Sequence, residues 1–371
     1  MSGVFLPDEL IAEVLSFLPV QSLMRLRCVC KSWKTLISDK SFVKLHLQRP
    51  SRKKHIAVIE TEAGYNVVTF PLNHLLENPS VTIATNSYYR LEYKDCSRVV
   101  GSCNGLLCLL GYSYLRNHDE TVFWFHIWNP ATRIISKKLG TCHQPCRPGK
   151  LTFSFGYDIS TRTYNAVVLC SREVKVFRFG DNIWRKIVSF TPYNLLDTLG
   201  CSYVNQGVHL SGTVNWISIY LKDVTVEKFV IISLDLATET YRKLLPPPGA
   251  VNLVSRYTEP TIAVLLDRLC FSHHFKETHF VIWQMIEFGV EQSWTQFLKI
   301  SFQNLQVDNF SEYYLFPFCL SENGETLIFA SYVGHKAILY NLKTNRVKKA
   351  IGSAITWCYS KDYVESLASI C

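Results

Sequence analysis

The 371-residue sequence predicts a mainly β protein, in which three short N-terminal helices precede a β-propeller. Six blades are expected, with seven as the alternative. Three observations point there. Apolar residues recur at helical spacing only within residues 1–46. From residue 55 onward, short runs rich in Val, Ile, Phe, Tyr and Trp alternate with Gly, Asn, Asp and Pro. Turn signals within that part return at a nearly constant interval. A composition of 48% hydrophobic, 13% aromatic and 19% charged residues excludes a disordered or low-complexity chain.

The helical part begins at Pro7, whose fixed φ suits a first helical position, with Asp8 and Glu9 at the positive end of the helix dipole. Leu10, Ile11, Val14, Leu15 and Leu18 share one face, and Pro19 is expected to end the helix. A second helix is expected to carry Leu23, Leu26, Cys30, Trp33 and Ile37 as one stripe, at spacings of 3, 4, 3 and 4, with Cys30 in its core. Ser38 and Asp39 would cap a third, bearing Phe42 and Leu45. Helices this short bury too little apolar surface to stand alone. Their apolar faces either pack on the rest of the chain or meet a partner. Residues 47–54 follow as a linker, basic from Arg49 to Lys54.

Residues 55–371 read as all-β, with runs at 55–59, 67–70, 123–128, 166–169, 229–234 and 326–331. They also repeat. Trp128-Asn129-Pro130-Ala131-Thr132 returns as Leu234-Asp235-Leu236-Ala237-Thr238 and as Tyr340-Asn341-Leu342-Lys343-Thr344. Asn or Asp opens each turn, and the Thr three residues later is expected to bond the turn backbone. Glycine turns at Gly180 and Gly289, each followed by a tryptophan, fall between these units. Positions 129, 180, 235, 289 and 341 lie 51, 55, 54 and 52 apart, a mean of 53. That period, with about four strands in each, signals propeller blades. A β-sandwich gives no reason for it. Blades are expected near 98–139, 151–190, 201–246, 260–300 and 315–350, and strands at 55–91 would share one more with the tail at 354–367, closing the ring.

The net charge of +9 is unevenly placed. Residues 1–54 hold ten Lys and Arg against four acids, whereas residues 55–371 hold 29 against 26. The large β part therefore lacks the electrostatic footprint of a nucleic-acid binder, and the bases read as a solvated helical face and its link. Thirteen cysteines without an apolar leader point to reduced thiols and to the cytoplasm or nucleus. The uncharged run at 99–115 is broken by glycines and shorter than the ~20 residues a membrane helix needs, so no membrane partner is expected.

Catalytic motifs find little support. Gly101-Ser102-Cys103-Asn104-Gly105 has the outline of a nucleophile elbow, but a strand-like run follows where a helix is required, and an Asn-Gly hairpin turn explains it. Cys142-His143-Gln144-Pro145-Cys146 lacks the second spaced pair of a structural zinc site, although His273-His274 could lie near it. Gly149-Lys150 is not a phosphate loop, and Asp223 and Glu227 have no distinguishing context. No metal, cofactor or catalytic residue is expected.

Leu6-Pro7-Asp8-Glu9-Leu10, Leu18-Pro19-Val20 and Arg27-Cys28-Val29-Cys30-Lys31-Ser32-Trp33, ending near Asp39 and Phe42, together resemble an F-box spanning residues 4–45. Gly101-Ser102-Cys103-Asn104-Gly105-Leu106-Leu107 and Trp128-Asn129-Pro130-Ala131-Thr132 resemble hallmark runs of the plant F-box-associated, or kelch-like, domain. Departures are few. Gln21 stands for the usual Lys, Met24 and Leu26 for Leu and Phe, and Lys40 for a common Pro. The Gly-Gly pairs of true kelch repeats occur nowhere.

The resemblance implies an F-box at 1–46, a linker at 47–54 and a substrate-recognition propeller at 55–371. It implies a non-catalytic receptor of an SCF ubiquitin ligase, which binds a Skp-family adaptor, through it a cullin, and recruits an unknown protein target. Leu6, Pro7, Leu10, Ile11, Leu15, Leu18, Pro19, Val20, Leu23, Val29, Cys30 and Trp33 would then build or support the adaptor interface. Long loops at 112–121, 141–150, 191–200, 220–228, 246–259, 272–279 and 303–314 would share one face of the ring. There Arg116, His143, Arg147, Tyr193, Arg256, Tyr257, His273, His274, Tyr313 and Tyr314 are the candidates for substrate contact. A propeller scaffold without a ligase role, and a propeller enzyme, are the alternatives.

Overall fold

The computed structural model describes residues 6–49, 53–61, 66–77, 89–92, 96–145, 151–170, 173–187, 206–219, 229–248, 260–276, 278–307, 315–331, 336–351 and 355–369. Four helices, where three were expected, open the chain: α1 (Asp8–Leu15), α2 (Val20–Leu26), α3 (Lys31–Ser38) and α4 (Lys40–Leu47). The Pro7 carbonyl accepts the first amides of α1, from Leu10 and Ile11. That helix stops at Leu15, and Pro19 opens α2 where it was expected to close α1. A proline drives its predecessor out of helical backbone, so the break falls before it.

The expected second helix is two helices. Arg27-Cys28-Val29-Cys30 contains a run of residues with weak helix propensity. Cys30 adopts extended backbone, and its thiol accepts the Trp33 amide at 3.4 Å. Cys30 is thus an exposed cap of α3 and not a core residue. Asp39 caps α4 as expected, accepting the Ser41 amide at 2.8 Å.

Six antiparallel sheets follow, each described from its innermost strand outward. Blade one is β25 (Ile355–Val364), β1 (Lys54–Glu60), β2 (Asn66–Pro71) and β3 (Tyr89–Leu91). Blade two is β4 (Arg98–Cys103), β5 (Leu106–Leu115), β6 (Glu120–Asn129) and β7 (Ile134–Ile135), with β8 (Leu139–Gln144) also paired to β6. Blade three is β9 (Thr152–Asp158), β10 (Thr163–Cys170), β11 (Glu173–Arg178) and β12 (Ile183–Lys186). Blade four is β13 (Val208–Leu210), β14 (Thr213–Ile219), β15 (Phe229–Asp235) and β16 (Tyr241–Leu244). Blade five is β17 (Thr261–Leu265), β18 (Arg268–Phe275), β19 (His279–Met285) and β20 (Trp294–Ser301). Blade six is β21 (Leu315–Leu320), β22 (Thr326–Ser331), β23 (Lys336–Asn341) and β24 (Arg346–Ile351).

The protein is a six-bladed propeller. The last strand of the chain is the innermost strand of blade one, pairing Lys54 with Val364 and His55 with Tyr363. Both ends of the β part therefore share one blade, as the leftover strands suggested. Cores form between blades. Between blades two and three, Phe123, Phe125, Phe153, Phe177 and Trp184 interlock, mostly edge to face, with Phe123 and Phe153 centroids 5.1 Å apart. Each such side chain contributes roughly 1.5–3 kcal/mol by leaving water.

The repeated turns work differently from expectation. The Asn or Asp oxygen does the bonding: Asn129 Oδ1 accepts from Ala131 and Thr132, Asp235 Oδ1 from Ala237 and Thr238, and Asn341 Oδ1 from Lys343 and Thr344. The threonine hydroxyl of the last turn bonds Asn341, and that of the second bonds Thr240. Each turn ends in a left-handed residue: Arg133, Glu239 or Asn345.

Candidate functional site

Strand order divides the ring into two faces. Turns joining strands one to two and three to four of each blade lie on one face, here the lower. Hairpins joining strands two to three, and the links between blades, lie on the upper.

The helices sit on the lower face. Leu15, Val20, Leu23, Ile37 and Phe42 form a core with Ala131, from the β6–β7 turn, and Leu367, just beyond β25. Gln21 donates to the Tyr89 hydroxyl at 3.0 Å. The basic link does more than solvate. Arg49 bonds Ser16 Oγ at 2.8 Å, pairs with Glu13 at 2.5 Å and lies 4.1 Å over the Phe17 ring. Lys54 bonds the Leu320 carbonyl at 3.3 Å and stands 3.8 Å from Asp362.

Both hallmark runs hold the end of the chain, which in turn forms the seat of the helices. Asn104 and Gly105 form the expected hairpin turn between β4 and β5, both with positive φ. Ser102 donates to the Asp362 carbonyl at 2.5 Å, and Ser366 donates to the Asn104 carbonyl at 2.5 Å. A Cβ on Gly105 would come within 2.6 Å of the Val364 oxygen. Buried Asn129 donates to the Ser366 and Ala368 carbonyls at 3.0 and 2.9 Å.

The outer side of the helices carries uncovered apolar residues: Leu6 (63% exposed), Leu10 (53%), Val14 (67%), Phe17 (60%) and Val29 (64%). Among the residues expected at an adaptor interface, Leu6, Pro7, Leu10, Pro19, Val29 and Cys30 are exposed. Ile11, Leu18 and Trp33 are half-buried, and Leu15, Val20 and Leu23 lie inside the helical core. Val14 was placed on the face of the buried residues, and Phe17 was missed. The signal was available, because Leu6, Leu10, Val14 and Phe17 are spaced 4, 4 and 3, a second stripe beside Ile11, Leu15 and Leu18.

On the upper face, β5 and β6 extend as a hairpin to a 3-10 turn at Arg116–His118. Arg116 is exposed at its tip, and Tyr112 and Leu115 flank it. His143 lies on β8, with Nδ1 3.1 Å from Glu120 Oε1, which brings it to the same hairpin. The other pair is strand, not loop. His273 is buried on β18, its Nε2 3.3 Å from the donating Trp283 indole, and burial lowers its pKa. His274 is half-buried against Phe280 and Phe302. The structure thus turns His273 inward. Arg147, Tyr193, Arg256, Tyr257, Tyr313 and Tyr314 lie outside the described residues.

Cys103 Sγ lies 3.8 Å from His209 Nδ1, an arrangement that invites a nucleophilic reading. Burial pushes the thiol up to about 12 and the imidazole down, so both stay neutral and the thiolate is disfavoured. Cys142 is half-buried with its thiol likewise raised by burial, and among the described residues no three His, Cys, Asp or Glu side chains gather as metal ligands. Among those residues no helix is long and apolar enough to cross a membrane.

Comparison with known proteins agrees with this geometry. Residues 5–45 match the F-box domain, and residues 58–370 match the F-box associated beta propeller domain. An F-box/kelch-repeat protein of Arabidopsis thaliana is 28% identical, covering 98% of this chain and 95% of the relative. An F-box protein of the same plant is 25% identical, covering 95% and 92%.

Proposed function

The chain belongs to the F-box proteins that carry an F-box-associated β-propeller, and from that premise we propose that it is the substrate-recognition subunit of an SCF-type ubiquitin ligase. The observation that carries this is the uncovered apolar stripe of Leu6, Leu10, Val14 and Phe17, with Val29 exposed as well. A lone protein gains nothing by exposing five large apolar side chains on so small a helical unit. A Skp-family adaptor completes that core, and a cullin joins through the adaptor. The upper face, with Arg116 and His143, holds the protein target in the cytoplasm or nucleus. The chain does no covalent chemistry. It raises the effective concentration of its target beside an activated ubiquitin carried elsewhere in the complex.

Calorimetry of the full chain with a Skp-family adaptor tests the reading. Leu10→Asp/Phe17→Asp is expected to weaken binding at least 100-fold, about 3 kcal/mol, while the melting temperature of the chain stays near that of the wild type. Unchanged adaptor affinity in that variant would remove the basis of the proposal. Salt should matter little, because the contact is apolar. A steep loss between low and physiological ionic strength would point instead to the basic residues.

A further inference from the structure

We propose that the axial channel of the propeller is a binding site for a compact organic monocarboxylate, its anionic group held by Lys361 and its apolar body by the channel wall. This site is separate from both the adaptor stripe and the upper-face hairpin. All six innermost strands, or the residues just before them, line one cavity of about 150 Å³, room for a single-ring molecule. Ile262, Val264, Phe316 and Phe318 supply apolar wall, and Ser102, Gln206, Lys361 and Asp362 bring polar groups into it. Polar and apolar groups share this wall evenly, which suits a ligand that pairs an apolar body with a polar head.

The backbone bends to build this lining. Three innermost strands leave their ladders at channel depth. The register shifts between Val99 and Gly101 on β4, and between Pro317 and Cys319 on β21. On β25, the four residues between Thr356 and Lys361 stand opposite Val58 alone. Bulges of this kind re-aim side chains and gather beside functional sites. Here the displaced residues include Val100, Phe318, Cys358 and Ser360, all in the channel lining, and the largest bulge immediately precedes Lys361.

Charge selects the ligand class. Asp362 is matched by Lys54 at 3.8 Å. The Lys361 side chain makes no hydrogen bond or ion pair among the described residues, and Asp362, which attracts it, is shared with Lys54. Buried Arg98, at the start of β4, lies over the rings of Tyr112, Phe153 and Tyr359 and also meets no carboxylate among those residues. Of the two charged side chains in the channel lining, Asp362 has Lys54 as its ion-pair partner while Lys361 has none among the described residues, and a desolvated ammonium favours an arriving counter-charge. Burial lowers the Lys361 pKa to about 8, which still leaves it largely protonated at neutral pH. Gln206 Oε1 is buried without a hydrogen-bond partner, so a hydroxyl on the ligand would supply the donor it lacks. The Cys358 thiol, raised to about 12 by burial, offers no competing thiolate.

Titration calorimetry of the full chain with benzoate, benzamide and inorganic phosphate tests this. Benzoate is expected to bind. Neutral benzamide should bind at least tenfold more weakly, and phosphate, which has no apolar body, should give no heat at the same concentration. Lys361→Gln, which keeps much of the length and removes the charge, should weaken benzoate at least tenfold. Val264→Phe, which narrows the apolar wall and leaves Lys361 intact, should abolish binding. Absence of benzoate binding would overturn the proposal. So would equal affinity for benzamide or phosphate, or unchanged benzoate affinity in either folded variant.

Discussion

The two faces of the ring are held by different kinds of contact. On the lower face, side chains bond backbone more than 200 residues away: Ser102 to Asp362, Ser366 to Asn104, and Asn129 to Ser366 and Ala368. At the tip of the β5–β6 hairpin, on the upper face, the hydrogen bonds among the described residues are local. Tyr114 bonds Asp119 within one hairpin, and His143 meets Glu120 across one blade. The lower face therefore fixes the helices to the ring, and a change there disturbs closure of the whole propeller. A change confined to that hairpin tip leaves the ring-closing contacts of the lower face untouched.

The sharpest way to break that comparison is at Asn129. Its side chain is 3% exposed, gives both amide protons to the tail and accepts two turn amides. Asn129→Ala leaves buried carbonyls and amides unpaired, and a loss of about 3 kcal/mol is expected in chemical unfolding. A loss under ~1 kcal/mol would mean that packing alone holds the tail. Next in size comes Gly105→Ala, expected to cost about 2 kcal/mol or more. Its φ is 80°, and a Cβ would approach Ser366 Oγ to 2.4 Å. Gly212→Ala is the control, because Gly212 has φ 77° but nothing within 4 Å of the added atom. It should cost about 1 kcal/mol from backbone strain alone. Equal losses at the two glycines would show that the tail contact contributes nothing.

Much of the lower face was legible in sequence because its parts are local signals. The Asn-Gly turn, the Asn-Pro-Ala-Thr turn and the 53-residue period each declare themselves in a few residues. What those turns hold was not legible, since the partners of Asn104 and Asn129 lie in a tail that carries no motif. The break between α2 and α3 was hidden for a different reason. Leu23, Leu26, Cys30, Trp33 and Ile37 keep a helical spacing across it, and only the cap geometry of Cys30 reveals the interruption. Asp158-Ile159-Ser160-Thr161 is another lower-face turn of the same Asx type that falls outside the 53-residue repeat, because it joins the first two strands of its blade.

That turn gives a pH test of the lower face. Burial alone would raise the Asp158 pKa, but amide and hydroxyl hydrogen bonds from Ser160 and Thr161 outweigh it and hold the carboxyl below its ordinary value. A depressed folded value means that the carboxylate stabilises the fold above the unfolded value of about 3.9, and that this contribution is lost as pH falls through the lower folded one. The stability gap between wild type and Asp158→Asn should therefore shrink below about pH 4. A gap that stays constant down to pH 2 would mean that the charge of Asp158 does not hold the turn.

The smallest stability effects belong to the upper face, and there the expected result is a separation of stability from binding. Arg116 stands exposed at the hairpin tip, and the imidazole of His143 meets Glu120 in an exposed pair, a kind worth about 0.2–1 kcal/mol at most. Arg116→Ala and His143→Ala should each change unfolding free energy by no more than about 0.5 kcal/mol. Adaptor affinity should not move, because the helices occupy the other face. Retention of the protein target should fall, since Arg116 at the hairpin tip and His143 beside it on β8 both stand exposed on this face. If stability falls together with target retention, the hairpin is structural, and the division of labour between the faces does not hold.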